Sequence, residues 1–208
     1  MANKRESKAE DRDWRHGMRG ESASRCIGDI YPGCEIVGLT KGDFSMIDII
    51  RHLVKQVGSC HVDLGTWTAA HADVTKAEGL LGESGIQSLR MLVDRSFPQR
   101  QPGYFEKVLR TFGRDAVRMA RFHAKFALIQ GGDWNIVLRT SMNLNENKRI
   151  ELYEISDDAT MMGYFKEIVD HHFAKPMEDS YSAFKGLDLQ GEKKDVKINE
   201  QPKLGGWD

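Results

Sequence analysis

The strongest constraint on this chain is a hydrophobic period that keeps switching between residues 34 and 175. CEIVGL (34–39) is a short apolar run of strand type. In SMIDIIRHLVKQVG, which follows, Met46, Ile49, Ile50, Leu53, Val54 and Val57 recur at helical spacing and predict one buried face. Ser45 with Asp48 three residues on predicts the start of that helix, and Gly58 its end. The alternation continues with a strand over 60–67, a helix over 72–82, a strand over 86–94 and a helix over 103–112. Three strands follow, FHAKFALI (122–129), DWNIVLRT (133–140) and RIELYEIS (149–156), and then a helix over 158–174. Strands interleaved with helices predict an α/β domain with a mixed β-sheet flanked by helices on both faces.

The margins differ in character. The first 25 residues hold seven basic and five acidic side chains and almost no aliphatic ones. Such a segment buries too little surface to offset its ordering entropy. The chain therefore divides into a mixed-charge arm (1–30), one domain (31–178) and a polar tail (179–208), in which Trp207 is a possible anchor. At 208 residues, 40% of them hydrophobic, there is enough for one core. No apolar stretch is long enough to cross a membrane, and the N-terminus has no apolar leader core. Cys26, Cys34 and Cys60, an odd count without C-x-x-C spacing, suit reduced thiols. The expected location is the cytoplasm, with no membrane partner.

The formal net charge of −1 hides an asymmetry. Arg95 to Lys125 carries eight basic residues against Glu106 and Asp115, a local +6, which leaves −7 on the rest. A local field of that sign attracts a polyanion even when the total is near zero. On a helix over 102–119, Lys107, Arg110, Arg114 and Arg118 form one stripe, with Gly113 as a possible interruption, and Arg121 continues toward residue 123. This predicts a backbone track for nucleic acid, DNA favoured over RNA.

The chemistry is concentrated in RFHAKFALIQGGDWNIVLRTSMNLNENKRIELYEI, residues 121–155. His123 and Lys125 stand two apart in a strand-type pattern and so share one face of the sheet. The next strand ends at Thr140-Ser141-Met142-Asn143, and the one after it offers Glu151. An imidazole can attack phosphorus. An ammonium and an amide can stabilise charge on the nonbridging oxygens. A carboxylate can fix a histidine tautomer. Side chains supply the positive charge, so neither a metal nor a cofactor is expected.

H-x-K followed by S-x-N resembles the phospholipase D superfamily, whose hallmark is H-x-K-x4-D-x6-G-S-x-N. The likeness spans about residues 35–175, and the helix over 45–57, the strand after it and Trp67 look like the first half of such a domain. It implies catalytic His123, Lys125, Ser141, Asn143 and Glu151, with the glutamate orienting the histidine. Gln130 stands at the family's aspartate, Thr140 at its glycine, and the gap is about three residues longer, which an extended hairpin at Gly131-Gly132 would absorb. Such enzymes use two histidines, one as nucleophile and one as acid. None of His16, His52, His61, His71, His171 and His172 has a lysine two residues on. The resemblance therefore implies a homodimer that shares one site, with Met142 and Leu144 either at that interface or in the core. Thr66 and Trp67 are further pocket candidates, beside His61-Val62-Asp63 and His71-Ala72-Asp73. Asp94, which ends a strand, is either a helix cap or a pocket residue. His171 and His172 are adjacent on a helix and chelate poorly together.

The implied activity is a metal-independent phosphodiesterase, first of all a nuclease working through a phosphohistidine. Two alternatives stand beside it. One is a degenerate member that binds nucleic acid or joins a larger assembly through its terminal arms. The other is a phospholipase or other phosphodiesterase of the cytoplasm.

Overall fold

The computed structural model describes residues 12–16, 21–69, 75–76, 79, 85–144 and 149–175. Its strands are β1 (Asp13–His16), β2 (Glu35–Thr40), β3 (Cys60–Thr66), β4 (Ile86–Asp94), β5 (Val117–Ala120), β6 (Phe126–Gly131), β7 (Trp134–Thr140) and β8 (Glu151–Asp157). Its helices are α1 (Ala23–Ile27), α2 (Met46–Val57), α3 (Phe97–Arg100), α4 (Pro102–Phe112) and α5 (Ala159–Ala174). The strands form one mixed sheet in the order β1-β2-β8-β7-β6-β3-β4-β5. The β1/β2, β3/β4 and β4/β5 pairs are parallel, and the others are antiparallel.

Helices cover both faces. On one face Ile49, Ile50, Leu53 and Val54 of α2, Ile27 of α1, and Phe105 and Val108 of α4 pack with Ile36, Leu64, Val93, Ile129, Ile136 and Ile155 of the sheet. Asp48 accepts hydrogen bonds from both Ser45 N and Ser45 Oγ at 2.9 Å, which fixes the start of α2. On the other face Met162 and Val169 of α5 cover Phe126, Leu128 and Val137. Beneath α5 the buried Asp63 accepts from Arg90 Nε and NH2 at 2.6 and 2.7 Å, and Lys166 lies 3.6 Å away. Arg90 also reaches Asp170 at 2.8 Å, so the buried carboxylate is paired. His61 instead meets Ser88 Oγ at 2.7 Å, and the His61/Asp63 pair is therefore structural.

Several expectations are corrected. Of the arm expected over 1–30, the described residues take part in the domain: β1 is an edge strand, and Ala23, Cys26 and Ile27 of α1 are buried. Ser22 caps α1 and Gly28 ends it, so a five-residue helix forms without a visible period. The basic stripe does not form. α4 stops at Gly113, whose φ is +85°, and the chain turns into the short strand β5. Arg118 lies on that strand, only 8% exposed, with its guanidinium 4.8 Å over the Phe173 ring. β6 starts at Phe126, so His123 and Lys125 precede the strand. The β6/β7 hairpin is long but its turn is tight, with Gly131 paired to Trp134. Most of the helix expected over 72–82, the 71–73 pair and the whole 179–208 tail lie outside the described residues.

A candidate active site at one edge of the sheet

The register brings the C-terminal ends of β2, β3, β4, β5 and β7 and the N-terminal ends of β6 and β8 to a single edge. The His123-Ala124-Lys125 segment crosses this edge and is tied at both ends. Phe122 N donates to Asp94 Oδ2 at 3.0 Å, and Lys125 O accepts from Thr140 N at 3.1 Å. The Phe122 ring meets Phe126, and a Cβ on Gly65 would lie only 2.7 Å from it. Glycine at that strand position therefore makes room for the aromatic ring that anchors His123.

Lys125 Nζ stands 3.1 Å from His123 Nδ1 and 3.3 Å from Nε2. Burial pushes the Lys125 ammonium below its ordinary value, and the Glu151 carboxylate partly offsets this. Glu151 accepts a hydrogen bond from Ser141 Oγ, which in turn accepts from Leu152 N at 3.0 Å. Thr140 Oγ1 donates to Leu152 O at 2.6 Å and accepts from Met142 N at 3.1 Å. A glycine at 140 could make neither contact, so Thr140 stiffens the loop that carries Ser141 and Asn143. Leu144 N reaches Thr68 O at 3.2 Å and Thr66 Oγ1 at 3.3 Å, which draws that loop against the end of β3. Met142 and Leu144 are buried in the core and not on an exposed interface. Asn143 is half-buried, and its Oδ1 is enclosed with no hydrogen-bond partner among the described residues.

Thr66 is buried and structural, donating to Thr68 O at 2.8 Å. Trp67 faces the histidine, with ring centroids 5.3 Å apart and planes tilted by 56°. Of the expected basic track, Lys107 donates to Thr75 and Arg110 to Glu106. Arg114 and Arg121 are exposed, Arg121 two residues before His123. Gln130 lies at the far end of β6, bonded to Asn135 Oδ1 at 3.1 Å, so this departure from the family motif leaves the site alone.

Arg100 has no role predicted from the sequence, and Asp94 is either a cap or a pocket residue there. Asp94 Oδ1 accepts from Ser96 N at 2.9 Å and from Ser96 Oγ, while Oδ2 holds Phe122. Ser96 Oγ accepts from Arg100 Nε at 3.0 Å, and Arg100 lies 3.8 Å above the Trp67 ring. The available signal was the Asp-x-Ser spacing at a strand end, the mark of a turn closed by its own side chains.

This arrangement is a phospholipase D-like fold. Nuc from Salmonella typhimurium, described as a phospholipase D family member, superposes with a TM-score of 0.51 at 10% identity, over 67% of this chain and 93% of that one. Polyphosphate kinase from Porphyromonas gingivalis gives 0.50 at 15% identity, over 68% of this chain and 26% of that one. NucT from Helicobacter pylori gives 0.47 at 16% identity. Neither family sequence models nor curated protein sequences gave a match.

Any reaction that needs the Lys125 ammonium stops as pH rises through its lowered pKa, since lysine is charged only below that point. The alkaline limb of kcat/KM is therefore expected below the ordinary lysine value of 10.5. Glu151→Gln removes the charge that holds the ammonium up and moves the limb to lower pH. A pH–rate profile checks both, and a limb that does not move contradicts the assignment.

Proposed function

We propose that this protein is a phosphodiesterase, and specifically a nuclease that works through a phosphohistidine in a site shared by two copies. The observation that carries this reading is the contact of His123 with Lys125 beside the Ser141–Glu151 hydrogen bond. An imidazole, an ammonium, a hydroxyl and a carboxylate are thereby assembled at one sheet edge.

In the proposed reaction a ring nitrogen of His123 attacks phosphorus. The P–O bond to the leaving group breaks, and the imidazolium of a second His123 gives its proton to the departing oxygen. Water then attacks the phosphorus, loses its proton to that same second imidazole, and releases His123 as the P–N bond breaks. Lys125 and Asn143 donate to the nonbridging oxygens, where negative charge builds. Ser141 and Glu151 hold the loop and the ammonium in place. Side chains supply the positive charge, so the reaction runs without a metal. Expected turnover on a DNA or RNA strand persists in EDTA and is lost in His123→Ala. Loss in EDTA with rescue by a divalent ion contradicts the mechanism. Salt-sensitive binding without turnover points instead to a binding protein, and turnover of a lipid diester alone to a phospholipase.

The second histidine comes from a second copy, because the chain has one H-x-K. An apolar row beside the site supports this. Leu39 and Leu152 pair across β2 and β8 and are each 39% exposed, while Ile150 and Trp14 are 69% and 66% exposed. α5 packs on the same side of the sheet, against β5, β6 and β7. Leu152 directly follows Glu151, so a second copy seated there also lies at the site. Exposed apolar rows of this kind mark interfaces. Leu152→Glu is expected to give a folded monomer that has lost roughly 100-fold or more in turnover, of the order supplied by one general acid. Sedimentation and circular dichroism check this, and a monomeric wild type with full turnover contradicts it.

A further inference from the structure

Some arginines of this domain pair with carboxylates, while Arg51 and Arg118 are partly or fully buried on backbone carbonyls. Arg12, Arg15, Arg90, Arg110 and Arg139 each pair with a carboxylate. Arg100 is held as firmly, but by neutral groups. Its Nε donates to Ser96 Oγ at 3.0 Å, one NH2 hydrogen goes to Trp67 O at 3.2 Å, and its Cζ lies 3.8 Å from the centre of the Trp67 ring. No acidic group shares this contact set, and NH1 makes no hydrogen bond among the described residues. The result is an exposed, oriented cation with no carboxylate partner among the described residues. A planar guanidinium fixed in this way is prepared for an oxyanion, since little freedom is left to lose on binding. Its position is set by the site. The Trp67 ring that carries it is also the ring beside His123, and Asp94 fixes both Ser96 and Phe122.

We infer that Arg100 binds a second phosphate of the substrate, next to the one attacked by His123. The inference rests on the phosphodiesterase reading and narrows it. The preferred substrate carries successive phosphodiesters along one backbone, as single-stranded DNA or RNA does. A lipid headgroup ester has one phosphodiester and leaves Arg100 unused. The base or sugar between the two phosphates passes the half-buried Trp67, an aromatic ring that suits stacking rather than base-edge readout. The expected preference is therefore for strand length and not for sequence.

The test compares substrates that differ by one phosphate. A dinucleoside monophosphate has a single phosphodiester, and the corresponding trinucleotide adds its neighbour, in deoxyribose and ribose forms. The wild type is expected to gain about tenfold or more in kcat/KM from the extra phosphate, the size of one charge-assisted contact. Arg100→Gln, which keeps a hydrogen-bonding group for Trp67 O but no charge, is expected to lose that gain, and Arg100→Lys to recover part of it. A gain that persists in Arg100→Gln overturns the inference. In parallel, fluorescence anisotropy follows binding of a ten-nucleotide single strand. The slope of log affinity against log salt is expected to fall by about 0.7 in Arg100→Gln, one phosphate's worth for a single strand, which a purely structural role would not produce. An unchanged affinity and slope overturn the inference as well. If the wild type cleaves none of these substrates, the nuclease reading fails, and the binding arm still decides whether Arg100 takes a phosphate.

Discussion

The site depends on one carboxylate that holds two loops. Asp94 ends β4, and its two oxygens are spent on different segments. One accepts the Phe122 amide and so sets where the H-x-K segment leaves the sheet edge. The other accepts Ser96, which turns the chain into α3 and delivers Arg100 to Trp67. A half-buried carboxylate with backbone amides and a hydroxyl as partners is well satisfied. One carboxylate thus ties the segment that carries His123 to the turn that carries Arg100. Gly65 completes the arrangement by leaving space for the Phe122 ring.

Much of the fold was legible in the chain. The helix with Ser45, Asp48 and Gly58 at its ends and the strand over 86–94 lie where the periodicity puts them. So does the layered plan, because each face of the sheet needs its own apolar partners. What was not legible was short. β1, α1 and β5 have four or five residues each, too few to show a period. β5 was hidden further by Arg118, which tolerates burial only because Phe173 and the Asp115 and Val117 carbonyls receive its guanidinium. That environment comes from α5, more than fifty residues downstream, and no local reading supplies it.

The same distinction applies to the site. The five residues carried by the motif fall on the segments that meet at one edge, and the structure pairs His123 with Lys125 and Ser141 with Glu151. The motif's departures are accounted for locally. Gln130 sits at the remote end of its strand, and Thr140 braces the Ser141 loop. Charge was harder to read. The +6 segment suggested a continuous track, yet its members are divided among paired helix positions, a buried strand and exposed loops. Arg100 differs from the others in being exposed yet held in place by a hydroxyl, a carbonyl and a ring, which sequence spacing does not show.

The central claim is that His123 forms a covalent bond to phosphorus. The most direct measurement is the stereochemical course of cleavage at a chiral phosphorothioate diester, combined with rapid quenching to isolate the peptide that contains His123. Two successive displacements predict net retention at phosphorus and an acid-labile adduct on His123. Net inversion, with turnover intact and no adduct, would contradict the account.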